Sequence, residues 1–371
     1  MIAPPISNRV RTVAAAALFT TITVTQGAVT SVVIMSGLNE PRDVSMAPNG
    51  DLYVIEAGTP IDTTDLDPIP TDTGVAYFGN TGSVSLLSGG VVSRPITGLP
   101  MLYSSGPMGE EVIGGHGIAA TDSGLIVSIG LGSTAANRNT GPTGAAGLGS
   151  VYRFFPGQQL DVTDITAGSS NPFHLAVSGS QAILADAGDN SVMLIDDGGI
   201  SRVGFLPNLP NGAQFVPTGV AANPAGGIYV GGLSGLPFEP GSASIYLMDG
   251  GTTELFATGF TNIIDIAIDA AGTMFVLEFA TNGLFSGDQT GGLWSLSSDG
   301  SSRELLMSTG LVHPTGLTTG LDGTLYVTHL GGPGGSGELL AITIPEPGTA
   351  TLTMLAIAAL GGCRRRTSAT S

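Results

Sequence analysis

The chain repeats itself, and the length of the repeat limits what it can fold into. The stretch 37–58, GLNEPRDVSMAPNGDLYVIEAG, reads as a short apolar strand, an Asn49-Gly50 turn and a second strand ending in Glu56. Asn-Gly between two apolar runs is a hairpin signal, because both residues tolerate the positive φ that a tight turn needs. The pattern returns as GGHGIAATDSGLIVSIGLG (114–132), NPFHLAVSGSQAILADAG (171–188) and VPTGVAANPAGGIYVGGLSG (216–235). It returns again as NIIDIAIDAAGTMFVLEFATNG (262–283) and HPTGLTTGLDGTLYVTHLG (313–331). Six copies mean that each is a supersecondary unit whose apolar face is covered by its neighbours.

The first five copies continue into two further strands across a Gly-rich or Asp-Gly turn, as in GSVSLLSGGVVSRPITGLP (82–100) and ASIYLMDGGTTELFATGFTN (243–262). Four antiparallel strands per unit is the pattern of a propeller blade, and no 3.6-residue period supports a helical solenoid. The sixth copy has only GELLAITI (337–344) beyond its hairpin, so the missing strand is expected from Val29–Met35. The expectation is an all-β, six-bladed propeller over 28–344 whose closing blade is shared by both ends of the body. Two long insertions, at 59–80 and 132–149, are expected as loops on the scaffold.

Composition narrows the partners. Lysine is absent, and five of the 11 basic residues (Arg9, Arg11, Arg364, Arg365 and Arg366) lie near the ends, while acids number 29. A formal net charge of −18 argues against nucleic acid and anionic membrane faces, and suits cations or neutral glycans. The single Cys363 excludes an intrachain disulfide framework and a Cys-rich metal site.

The ends read as targeting segments. Residues 1–27 have a positive start at Arg9 and Arg11, an apolar run over 13–24 and small residues at Gly27-Ala28, as a secretory signal cut by signal peptidase would. At 345–371, Pro345, Glu346 and Pro347 precede an apolar run over 350–362, then Arg364, Arg365 and Arg366. A short apolar segment with arginines on its final side is a weak stop-transfer signal with the body outside. The order resembles the PEP-CTERM sorting signal, which implies an exosortase-type membrane protease as partner and a transient anchor in the inner membrane. The protein is then exported to the periplasm, outer envelope or extracellular matrix.

The body resembles the ScyD/ScyE family of envelope propellers. The resemblance is carried by PTGVAANPAGGIYVGGLSGLPFEPGSASIYLM (217–248), by TGFTNIIDIAIDAAGTMFVLEFATNGLFSGDQTGGLW (258–294), and by the first and sixth copies of the repeat. It covers about 30–344 and implies a fold and an envelope address rather than a reaction. The single-blade pattern is shared with NHL/SMP-30/TolB-like and strictosidine-synthase-like propellers.

Aligned copies bring equivalent positions to one channel. Glu56, Ile129, Asp186, Gly232, Glu278 and His329 follow the second strand of each copy. Arg42, His116, Phe173, Thr218, Ile264 and Thr315 open the first strand, followed by Asp43, Gly117, His174, Gly219, Asp265 and Gly316. The channel-lining and ligand candidates are therefore Arg42, Asp43, Glu56, His116, His174, Asp186, Asp265, Glu278 and His329. Glu56, Asp186 and Glu278 come from copies one, three and five; three converging carboxylates repel, and with Asp43, Asp265 and up to three imidazoles of the same ring they would suit Ca²⁺ or another divalent ion. Polar, hydrated channel mouths and carboxylates that satisfy turn amides give the same pattern without a metal.

No catalytic residue can be named: the chain has no nucleophile elbow, zinc-protease helix, phosphate loop or dinucleotide fingerprint. Three functions fit the sequence. The first is a non-catalytic scaffold binding a small molecule, a glycan or an envelope protein. The second is a structural matrix component. The third is a metal-dependent, SMP-30-like lactonase or other hydrolase with its site in the channel.

Overall fold

Each copy of the repeat folds into its own antiparallel sheet, because the alternation of apolar and polar residues is broken at regular intervals by turn residues. The structure, a computed structural model, describes residues 28–345 except 72–73, 107–108, 155–156, 167–169 and 333–334. Residues 1–27, expected as a secretory signal, and all of the expected sorting segment but Pro345 lie outside the described residues. The described body, Val29–Ile344, is one compact unit.

Strand β1 (Thr30–Leu38) precedes the first sheet. That sheet runs β2 (Pro41–Met46), β3 (Leu52–Glu56), then β5 (Gly74–Ser88), β6 (Val91–Gly106) and β7 (Gly109–Ile113), with β4 (Pro68–Thr71) beside β5. The second sheet is β8 (Gly115–Thr121), β9 (Gly124–Ile129), β10 (Ser150–Arg153) and β11 (Gln158–Asp161). The third is β12 (Pro172–Ser178), β13 (Gln181–Asp186), β14 (Ser191–Asp196) and β15 (Gly199–Phe205). The fourth is β16 (Pro217–Ala222), β17 (Ile228–Gly232), β18 (Ala243–Asp249) and β19 (Thr252–Phe260). The fifth is β20 (Ile263–Ile268), β21 (Met274–Glu278), β22 (Gly292–Leu296) and β23 (Arg303–Met307). The last holds β24 (Gly316–Thr319), β25 (Leu325–His329) and β26 (Gly337–Thr343), and β1 completes it by pairing antiparallel with β26.

The first strand of each sheet lies against the first strand of the next, and β24 returns to β2. The sheets thus stand around a shared axis, in the manner of a β-propeller. Inner strands are buried on both faces, as in β8, β17 and β21, whereas the outermost β19 and β23 are largely exposed. The core sits between sheets: Ile55 of the first packs with Ile118 and Val127 of the second, and Ile183 of the third with Val220 and Val230 of the fourth.

Three local expectations change. In the first hairpin Gly50 takes φ +87°, while Asn49 serves the turn differently, its side-chain oxygen accepting the Asp51 amide at 3.1 Å. The insertion at 59–80 is not simply a loop: β4 and the first part of β5 form a hairpin there, and β5 and β6 continue together beyond the sheet. The insertion at 132–149 carries a helical turn, α1 (Ala135–Arg138), and a 3-10 turn (Thr143–Gly147). Buried Arg138 holds this segment down through the Leu148 carbonyl at 2.8 Å and Asp161 Oδ2 at 3.0 Å.

Candidate functional site

The site is built by a defect repeated in the inner hairpins. Pro41 pairs with Glu56, but the register then skips to Asp43 with Ile55. The same skip follows Gly115, Pro172, Pro217 and Ile263 at the start of β8, β12, β16 and β20. A bulge re-aims the side chains beside it. Beside or within these five skips stand Asp43, Gly117, His174, Gly219 and Asp265, and Gly316 holds the equivalent place in β24, whose pairing has no skip, so side chain and glycine alternate around the axis.

The alternation has a steric cause. A Cβ on Gly117 would stand 2.5 Å from the Phe173 carbonyl oxygen and 2.8 Å from His174 Cα. One on Gly219 would stand 2.7 Å from Asp265 Cα, and one on Gly316 2.5 Å from Asp43 Cα. Neighbouring backbones touch at this level, so only every second position can carry a side chain. The three that do converge: Asp43, His174 and Asp265 are buried, with a ligand atom from each within 4.8 Å of the others.

Each aspartate also ties two sheets together. Asp43 Oδ1 accepts the amide of Val44 at 2.7 Å, and Oδ2 accepts that of Ile118 on the next sheet at 2.9 Å. Asp265 repeats this with Ile266 at 2.8 Å and Leu317 of the next sheet at 2.7 Å. His174 Nδ1 lies 3.4 Å from Asp265 Oδ1 and is buried without a hydrogen-bond partner. Burial pushes the Asp43 carboxyl up to about 7; His174 opposes the rise and Asp265 adds to it. Burial alone would lower His174, but Asp265 and Asp43 outweigh it and hold the imidazole above its usual value.

The carboxylate trio expected from the sequence does not form. Glu56 accepts from Arg94, Ser83 and Ser85, all in its own sheet. Asp186 accepts from the Ser170 hydroxyl and the amides of Asn171, Gly188 and Asp189. Glu278 accepts from the Thr261 amide and from Trp294 Nε1 at 2.8 Å. Burial raises the carboxyl pKa of Asp186 and of Glu278. These residues end the second strand, one strand farther from the axis, where their carboxylates fasten the chain leading into the inner strand. Among the described residues, the one metal-capable group of three is Asp43, His174 and Asp265.

The remaining candidates are likewise engaged outside this group. His116 Nδ1 lies 3.1 Å from the Pro172 carbonyl and its ring packs on Phe173; burial takes its pKa down to about 3, so it is neutral. Arg42 donates to Glu40 and, at 2.9 Å, to the Val112 carbonyl. His329 Nε2 lies 2.9 Å from Glu338 Oε2 on β26.

A cavity of about 300 Å³ is lined by the inner strands of all six sheets and reaches Asp265. Its side chains are mainly aliphatic, with Val44, Ala120, Val177, Ala222, Ile268 and Leu317 among them, while polar atoms make up about half of its exposed surface. Its hydroxyls bridge sheets: Ser45 Oγ accepts the Ala120 amide at 3.0 Å and Thr319 Oγ1 donates to the Ile268 carbonyl at 3.3 Å. Sequence reasoning placed the three central residues in one channel ring among other candidates but did not single them out as the group that meets. The signal available was the alternation of side chain with glycine down the aligned repeats.

No family model matches the chain, and no curated protein matches it. Among solved structures the chain is similar to a glucose dehydrogenase, with 15% identity over 85% of this chain and 99% of that one, at TM-score 0.50. It is similar to a virginiamycin B lyase from Staphylococcus aureus, with 11% identity over 85% and 99% at TM-score 0.49. A gluconolactonase from Xanthomonas campestris has 13% identity over 86% and 91% at TM-score 0.44. At such identities the likeness speaks to the β-propeller fold alone.

Proposed function

We propose that the protein is an exported, ScyD/ScyE-like six-bladed propeller that binds a small ligand or an envelope partner without transforming it. The six sheets are its blades, and β1 pairing with β26 is the closure that joins both ends of the body in one blade. The observation that carries the binding reading is the axial cavity: it is shared by all six inner strands, walled by aliphatic side chains, and its Ser45 and Thr319 hydroxyls are engaged between sheets. A general base must reach the proton it takes from a nucleophile or water. Here the buried histidines are engaged: His116 by the Pro172 carbonyl and Phe173, His329 by Glu338, and His174 by the central group. The acidic composition and the sorting segment support delivery through an exosortase-type protease to the envelope or its matrix.

The hydrolase reading keeps one supporting observation, the Asp43–His174–Asp265 group, which has the donors a catalytic metal would use. Purified full chain assayed on lactones and aryl esters, with Zn²⁺, Mn²⁺ or Ca²⁺ added, separates the readings. No turnover above the buffer rate is expected; saturable turnover lost in D265N would replace binding by hydrolysis. Export is tested in a host that has the exosortase. Neutral replacements of Arg364, Arg365 and Arg366 should redistribute the protein, and identical fractionation would remove the sorting assignment.

A further inference from the structure

Asp43, His174 and Asp265 bring two carboxylates and one imidazole together at the axis. Each carboxylate oxygen of Asp43 and Asp265 accepts one amide hydrogen bond, from Val44, Ile118, Ile266 and Leu317, and an oxygen has room for a second partner. His174 is 2% exposed, and its Nδ1 is among the buried atoms that lack a hydrogen-bond partner. Leaving a buried ring nitrogen bare costs free energy, and so does leaving two buried carboxylates to repel one another. Arg42 does not relieve them, because its guanidinium is engaged by Glu40 and the Val112 carbonyl.

A dication answers both demands. It offsets two negative charges and accepts the lone pair of a neutral imidazole, whereas protons would do the same only if His174 and Asp43 each took one up. One spacing agrees closely: two donors held at about 2.1 Å from one zinc ion at the tetrahedral angle stand about 3.4 Å apart. The distance from His174 Nδ1 to Asp265 Oδ1 is 3.4 Å. An imidazole in the donor set selects zinc or its first-row neighbours over calcium, whose sites are built from oxygen. Asp265 borders the axial cavity, which gives an ion a way in.

We propose that Asp43, His174 and Asp265 hold a divalent transition-metal ion of the zinc type, clamping the first, third and fifth sheets at the axis. The site is independent of the ligand-binding reading: it demands no turnover, and it stands whatever the cavity accepts.

The test uses untagged full chain, stripped with chelator and titrated with ZnCl₂, MnCl₂ or CaCl₂. Zinc or manganese should raise the melting temperature in proportion to the logarithm of its concentration above Kd. A single zinc ion per chain should survive desalting, and both effects should vanish in H174Q and D265N. Should those variants fail to fold, zinc X-ray absorption on the wild type decides instead. A nitrogen–oxygen shell with imidazole scattering supports the site. An all-oxygen shell, a response to calcium alone, or no thermal response to millimolar zinc and manganese overturns it.

Discussion

Arg94 of β6 grips the buried carboxylate of Glu56 of β3 through two nitrogens, Nε to Oε1 at 3.0 Å and Nη2 to Oε2 at 2.8 Å. The fork crosses from the outer part of the first sheet to the end of its second strand, and Ser83 and Ser85 supply further donors to the same oxygen. A carboxylate so held is a fastening for the sheet and has no room for an axial ion.

Removing the fork should expose that role. R94M leaves Glu56 buried with its serines and the Asn39 amide, and loss of one partner of a buried pair costs about 3 kcal/mol or more. Because the Arg94 side chain is 38% exposed, about 2 kcal/mol is expected here. Urea denaturation measures it, and the R94M/E56Q double variant should recover most of the loss. A loss below about 0.5 kcal/mol, the size of an ordinary surface change, would mean that the pair is idle.

Contact between backbones at the axis is tested by adding one methyl group. G316A places a Cβ 2.5 Å from Asp43 Cα, and backbone cannot swing aside as a flexible side chain can. Overpacking of this kind costs about 3 kcal/mol. G117A should behave likewise, with the clash against Phe173 and His174. If either variant melts with the wild type, the ring is looser than its glycines imply.

Closure by the N-terminal strand has its own signature. Met35 and Leu38 of β1 are buried against Val44, Val54 and Leu339, so the strand joins the last sheet to the first. Leu38→Ala should cost about 2–4 kcal/mol. Deleting 29–38 bares the edge of β26, and an unpaired edge recruits other chains. Light scattering should show aggregation of the deleted chain at concentrations where the intact one stays clear. A soluble truncated chain with unchanged melting temperature would contradict the shared sheet.

His116 sets an acid limit. Its folded pKa is lowered to about 3 from the ordinary 6.5, with burial the main cause and Arg42 second. A depressed value means that stability is full above the unfolded pKa and is lost as pH falls from 6.5 toward 3, since only the unfolded chain takes up the proton readily. The slope approaches about 1.4 kcal/mol per pH unit. H116N, which keeps a donor for the Pro172 carbonyl, should flatten this part of the profile relative to wild type. Parallel profiles between pH 6.5 and 4 would show that the histidine is protonated without strain.

The repeat was legible because hairpin chemistry is local. Turn residues and apolar alternation within about twenty residues specify each sheet's inner strands, whatever lies beside them. Completion of the last sheet by the N-terminal strand could also be read, since one copy lacked a strand and one strand lacked a copy. The insertions were harder: 59–80 forms a hairpin only because β5 and β6 continue past their sheet and offer β4 an edge.

The centre of the ring was decided by tertiary structure. Sequence placed Glu56, Asp186 and Glu278 at equivalent positions, but equivalence does not give distance from an axis. One strand farther out, these carboxylates meet their own sheets' amides, hydroxyls and Arg94 before they can meet each other. Asp43, His174 and Asp265 meet because inner backbones approach so closely that Gly117, Gly219 and Gly316 must lie between them. That approach is set by the packing of all six sheets at once, so each repeat carries the residue type for the axis, and only the assembled ring determines which side chains share it.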